Sequence, residues 1–211
     1  MMALFSPDSK FMRFMSRIGD LMILNLLYLL TCVPIFTVGA ATAALYTVSF
    51  RFDTDRESGV IRTYLDAFKA NFRQATGLWL VLLLCLVTAF INTLFCYRMP
   101  GALHYLAYFF GVLFVLAGLI LSYAFPLLSQ FDNTGKAIFQ NALVLSVGYL
   151  PRSLVILAIN ALPWFLLLTN ILLFFRAGFL WFILYFAAGA YVNTRILRKV
   201  FAPYLTEEGS V

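Results

Sequence analysis

Apolar positions in this chain come in long blocks separated by stretches with helical two-faced patterning. Four blocks, 75–97, 102–129, 153–175 and 177–197, carry no internal charge or nearly none. Each suits a helix crossing a hydrocarbon core about 30 Å thick, which takes about 20 apolar residues. A fifth block, Leu21 to Phe50, is longer but is interrupted at Val33-Pro34 and again at Gly39. The intervening stretches repeat at three and four residues. After the helix-start residues Ser6-Pro7-Asp8-Ser9, the positions Phe11, Phe14, Met15 and Ile18 share one side while Lys10, Arg13 and Arg17 take the other. This predicts an interfacial helix over 8–19. Ile61, Leu65, Phe68 and Phe72 oppose Arg62, Asp66, Lys69 and Arg73, which predicts an amphipathic helix over 59–74. The pattern returns less cleanly over 133–148. The chain thus reads as three units, each an amphipathic helix followed by a membrane hairpin, with too little identity between them for true internal repeats.

Composition narrows the class. Of 211 residues, 63% are hydrophobic and 11% charged, where an ordinary soluble domain has about a quarter charged. The expectation is one all-α domain over 1–211, a polytopic transmembrane helical bundle with cytoplasmic amphipathic helices. The net charge of +6 could indicate nucleic acid, but the basic residues flank apolar spans instead of forming one polar face. Their partner is then the lipid bilayer and its anionic headgroups. The N-terminus resembles a signal peptide, with basic residues before the run from Leu21 to Val33 and small residues from Gly39 to Ala44. The amphipathic stretch is long for a signal's basic region, and the chain is expected to keep it. Cys32, Cys85 and Cys96 read as buried small hydrophobes, since no C-x-x-C pair or His cluster accompanies them.

Charge also bears on the number of crossings, because cytoplasmic flanks carry the Lys/Arg excess. If 20–50 crosses once, five basic residues fall on one side and ten on the other. If it turns back at Pro34 to Gly39, only Arg98 and Arg176 stay outside, and the division becomes 13 against 2. A broken helical hairpin over 20–50 followed by four spans is therefore preferred, in a bacterial plasma membrane with both termini cytoplasmic. Each hairpin helix, at about 14 residues and about 21 Å, is short for the bilayer and must be re-entrant, tilted or shielded by neighbours. A single kinked crossing with the N-terminus outside is the alternative.

The chemistry-bearing residues are few. There is no phosphate-binding loop, zinc-protease motif, nucleophile elbow or acid pair within a span, so no catalytic residue, metal or cofactor is assigned. His104, the sole histidine, falls at an outer span end where headgroup contact is the ordinary reading. Asp20, after Gly19, reads either as a helix-start cap favoured by the helix dipole or as a partner for Arg17 or Arg51. Asn25, Asn92, Asn160, Asn170 and Asn193 lie at or near membrane depth and need hydrogen-bond partners or a wet cavity. Pro34 to Ala44 combines a helix break, which transporters use as a binding site, with Gly39, Ala40, Ala43 and Ala44 at the small-residue spacing of close helix packing. Asp20, Asn25, Pro34 and Gly39 are the candidate substrate or partner contacts. Arg62, Lys69 and Arg73 are the candidate docking residues for lipid or a partner subunit.

The segments Leu4-Phe5-Ser6-Pro7-Asp8-Ser9-Lys10-Phe11-Met12-Arg13-Phe14, Arg17-Ile18-Gly19-Asp20 and Pro34-Ile35-Phe36-Thr37-Val38-Gly39-Ala40 resemble the YesL-like bacterial membrane proteins. So do Phe68-Lys69, Asn71-Phe72, Gln74-Ala75-Thr76, Asn141-Ala142-Leu143 and Leu150-Pro151-Arg152-Ser153-Leu154. Members of that family tend to be encoded beside carbohydrate-uptake and glycan-degradation genes. The resemblance implies a non-enzymatic accessory or scaffold component of carbohydrate uptake, with a transporter permease or another membrane subunit as partner and no catalytic residues to carry over. The other expectation is a small transporter or lipid-handling protein with its site at the broken hairpin. Oligomeric state is left open.

Overall fold

Nothing between Phe11 and Leu30 breaks a helix. In the computed structural model, which describes residues 10–52 and 59–208, the expected interfacial helix and the first apolar run are one element, α1 (Lys10–Cys32). The helix-start residues Ser6-Pro7-Asp8-Ser9 lie outside the described residues. Pro34 lacks a backbone donor and biases Val33 away from helix. The chain accordingly leaves α1 there, makes one 3-10 turn (Ile35–Thr37) and enters α2 (Val38–Arg51). The Arg17 guanidinium carbon then lies 4.7 Å from the centre of the Phe52 ring, and its nitrogen donates to the Phe52 carbonyl. The stretch folds back on itself, and its two ends meet.

Helix α2 is the centre of the molecule. Ala40, Ala41, Ala43 and Ala44 have no exposed surface, and the helix packs against α1, α3, α4 and α9. Small side chains permit this, because they let neighbouring backbones approach on every side. The shortness of α2 is met by that protein shell.

Phe72, Arg73, Gln74 and Ala75 contain no helix breaker, so the amphipathic helix and the second apolar block form one element, α3 (Val60–Tyr97). At 1.5 Å per residue it is about 57 Å long, more than the roughly 40–45 Å of a bilayer with its headgroups. Its first half also faces differently from the expectation. Tyr64, Ala67 and Ala75 are buried, while Ile61, Leu65 and Phe72 are exposed. Alanines meet the alanine face of α2 more closely than the larger residues could.

A turn through Gly101, at φ +74°, and a 3-10 segment (Gly101–Tyr105) lead into α4 (Leu106–Leu128). It runs antiparallel to α3, pairing Phe90 with Phe114 and Trp79 with Phe125. Thr134 caps α5 (Gly135–Gly148), accepting from Ala137 N. The span expected to reach residue 175 ends earlier: α6 (Leu150–Thr169) stops at Asn170, whose extended backbone (φ −148°, ψ 83°) leaves the helix. The Asn170 side chain caps the short α7 (Ile171–Arg176). A three-residue α8 (Gly178–Leu180), a π-helical turn (Trp181–Tyr185) and α9 (Phe186–Glu208) follow.

Five of these helical stretches are long and apolar enough to cross a membrane: Phe14–Cys32, Val60–Tyr97, Gly101–Leu128, Leu150–Thr169 and Gly178–Tyr204. The core, which includes Leu24, Tyr64, Tyr123, Phe125, Ile156 and Phe201, occupies one part of the bundle. Past Leu82 the buried residues of α3 are Ala89 and Cys96, and before Ala117 the one in α4 is Ala107. These two half-helices form an arm packed on itself. Helix α6 meets α4 beyond the arm, where Ser153 donates to the Tyr123 hydroxyl and Leu157 lies against Gly118.

Candidate functional site

The helix break is closed by its own neighbours. Pro34 O accepts from Thr37 N at 3.0 Å and from Thr37 Oγ1 at 2.6 Å. Thr37 Oγ1 also reaches Thr31 O, and Trp79 Nε1 donates to Ile35 O at 2.8 Å. Three carbonyls at the break, those of Thr31, Pro34 and Ile35, are thus satisfied by protein, as membrane depth demands. Val33, Ile35 and Phe36 at the tip are exposed apolar side chains.

Asn25 is fully buried and holds the π-helical turn. Its Nδ2 donates to Trp181 O at 3.0 Å and Phe182 O at 2.7 Å, and its Oδ1 accepts from Ala187 N at 3.0 Å. A π turn widens the backbone and disturbs its regular bonding, and the carboxamide fills that gap with both donors and its acceptor. Trp181 Nε1 in turn donates to Phe174 O, and the Tyr185 hydroxyl to Ile159 O.

A second polar cluster joins α2, α6 and α9. Asn193, without exposed surface, donates through Nδ2 to the Tyr46 hydroxyl at 3.1 Å and to Asn160 Oδ1 at 2.9 Å. Its Oδ1 is buried with no hydrogen-bond partner. Asn160 is exposed.

The candidate contacts therefore separate. Asp20 lies within α1, half-buried and one turn from Arg17. It is not a helix-start cap, because the helix begins ten residues earlier. Asn25 is committed to the π turn, and Pro34 to the tip. Gly39 is a contact point: a Cβ there would stand 2.5 Å from Ala75 O and 2.6 Å from Trp79 Cβ. Asp20, Asn25, Pro34 and Gly39 do not converge on one space. A cavity of about 250 Å³ is found elsewhere, lined by Leu127, Phe131, Asn133, Asn141, Leu145 and Phe201 among others.

Arg62, Lys69 and Arg73 are exposed on the first half of α3, with Arg62 Nε 3.8 Å from Asp66 Oδ2. Asn92 donates to Thr88 O within its own helix, and His104 Nδ1 is 3.0 Å from Tyr97 O among the rings of Tyr97, Tyr105 and Tyr108. Cys96 is buried and Cys32 half-buried, but Cys85 is exposed, on the outward face of the α3–α4 arm. The residues that the sequence did not single out are those that satisfy the breaks. Thr31, Thr37, Trp79 and Tyr46 give no periodic or charge signal, and only the demand for a partner near each break or buried amide points to them.

These features define an all-α protein of the multi-pass membrane class, whose intramembrane polar groups largely hold its own helices together. Residues 21–93 match the family described as a protein of unknown function, DUF624. The uncharacterized protein YteU of Bacillus subtilis (strain 168) is 32% identical over 162 residues, covering 75% of this chain and 72% of that protein. The chain belongs to the DUF624 family. No solved structure matches it.

Proposed function

We propose that this chain is a non-enzymatic accessory or scaffold subunit of a bacterial plasma membrane, acting beside a carbohydrate-uptake permease. The observation that carries this reading is the use made of the broken hairpin. Thr31, Thr37 and Trp79 spend their side-chain bonds there on backbone carbonyls of the hairpin or on the Tyr64 hydroxyl. A binding site at that break, as a transporter would need, is disfavoured by those bonds. The link to carbohydrate uptake rests on the YesL-like resemblance of the sequence.

The orientation belongs to the same proposal. The contact of Arg17 with Phe52 supports the reading in which the basic residues divide 13 against 2, and with it cytoplasmic termini. Arg62, Lys69 and Arg73 then face the cytoplasm, where anionic lipid or a partner's soluble subunit can reach them.

Affinity purification from native membranes, coupled to sugar uptake in a deletion strain, tests the proposal. Permease subunits are expected to co-purify and uptake to fall. Isolation of the chain alone, with uptake unchanged, would overturn it.

A further inference from the structure

Three polar side chains line one space and make no hydrogen bond with any described residue: the Asn133 and Asn141 carboxamides and the Tyr204 hydroxyl. The space is the cavity of about 250 Å³ described above. Each wall gives it residues three or four apart, the spacing of one helix face. Leu127 lies near the end of α4, and Phe131 N donates to its carbonyl. Asn141 and Leu145 come from α5, Phe201 and Tyr204 from α9. Leu127, Phe131, Leu145 and Phe201 are buried and form the floor. That floor is fixed, since the Phe131 ring meets Phe201 edge-on at 5.8 Å and Phe201 meets Phe50 at 6.2 Å. Asn141 and Tyr204 are exposed at the rim, and Asn133 is half-buried. The backbone of Asn133 is tied through its N–H to Phe131 O and through its carbonyl to Gln74 Nε2, so its position does not depend on its side chain.

What the cavity can hold follows from this lining. None of the lining side chains is charged, and the neighbouring Asp132 and Lys136 are exposed and not among them. An ion would find no counter-charge there, and a hydrocarbon tail would leave the three polar groups without partners. Each carboxamide offers a donor group and an acceptor, and the tyrosine hydroxyl offers both on one atom. A sugar ring presents the complement: hydroxyls that each donate and accept, carried on a ring whose C–H face can lie against an apolar floor. At about 250 Å³ the cavity falls below the range of about 300–1,000 Å³ that drug-sized ligands occupy, which suits a single ring.

We infer that this cavity is a binding site for a small uncharged polyhydroxy compound, a monosaccharide or the one-sugar headgroup of a neutral glycolipid. Tyr204 is near the C-terminus, so in the orientation proposed above the mouth opens on the cytoplasmic side. That placement rests on the accessory reading, whereas the ligand chemistry rests on the lining residues alone.

The test titrates the full chain, in a polyoxyethylene detergent that carries no sugar, with glucose, galactose, N-acetylglucosamine and glucose 6-phosphate, and reads binding by saturation-transfer NMR. At least one neutral sugar is expected to bind with a Kd on the order of 1 mM, more tightly than glucose 6-phosphate. Asn141→Leu and Tyr204→Phe, at exposed positions where the fold loses no hydrogen bond among the described residues, should each weaken binding about three- to tenfold, the worth of one uncharged hydrogen bond, with unchanged melting. In parallel, a photo-crosslinker in place of Val144, exposed on the rim, is tested in phosphatidylcholine vesicles that contain monoglucosyl diacylglycerol. Preferential capture of the glycolipid, lost in Asn141→Leu, assigns the site to a headgroup, and NMR binding without capture assigns it to a free sugar. Binding by neither route overturns the inference, as does tighter binding of the phosphate or binding that both variants leave unchanged. A chain that binds sugar but brings no permease from native membranes defeats the accessory reading and leaves the chemistry of the cavity standing.

Discussion

At Gly39 the distances leave no room for a side chain. A Cβ there would overlap Ala75 O, whereas at Gly77, also helical, nothing lies within 4 Å. Gly39→Ala is therefore expected to lower stability by about 1–3 kcal/mol, the usual range for overpacking. Gly77→Ala should be neutral or raise it by up to about 1 kcal/mol through helix propensity. Thermal melts of both variants in the same detergent decide between this contrast and a uniform glycine effect. Asn25 permits a similar comparison. Asn25→Leu removes three hydrogen bonds across 156 to 162 residues of sequence and leaves the π turn without its partner, for a loss of about 2–4 kcal/mol. Asn92→Leu removes one bond within its own helix and should shift the melt little.

Among the elements, the hairpin break was legible in the sequence because Pro34 has a fixed backbone consequence, and Gly39 pointed to close packing. The fusion of 8–19 with the first apolar run, and of 59–74 with the second, was also written there, since neither junction contains a breaker. The change from polar to apolar patterning suggested a boundary that backbone geometry does not make. The π turn at Trp181–Tyr185 could not be read, because it depends on Asn25 from the far end of the chain. The buried face of the first half of α3 was missed for a related reason: hydrophobic periodicity ranks Ile61 and Leu65 above Ala67, while packing against an alanine helix prefers the smaller residue. Trp79 ties α3 to the 3-10 turn at the hairpin tip, and Trp79→Phe isolates its bond to Ile35 O while keeping an aromatic ring. A loss of about 1 kcal/mol is expected, with faster proteolysis near residues 33–37 as the local readout. An unchanged melt and cleavage pattern would mean that the tip does not need this donor.

On the scale of the whole molecule, the arrangement to be tested is which parts meet water. On a background with Cys32, Cys85 and Cys96 replaced, single cysteines at positions 98 and 176 are expected to react with a membrane-impermeant maleimide in intact cells. A cysteine at 136 should react only after permeabilisation. One at 36, on the apolar tip, should react slowly in both states, because Phe36 and its neighbours Val33 and Ile35 present hydrocarbon to their surroundings. Ready labelling of 36 from outside would mean that the tip emerges from the bilayer, and labelling of 136 in intact cells would invert the orientation.

Helix α2 has a further consequence, for the order in which the chain is made. Its C-terminal carbonyls, Phe50 O and Phe52 O, are held by Arg198 and Arg17, and α9 is among the helices that enclose it. Arg17 has already been synthesised when α2 emerges, but Arg198 is still 146 residues beyond Phe52. During most of translation the centre of the protein is thus a half-built helix, too short and too rich in alanine to rest in lipid unaided. Helix α9, made long after α2, closes the first hairpin, so a chain arrested before α9 would present its interior to the cell's membrane proteases.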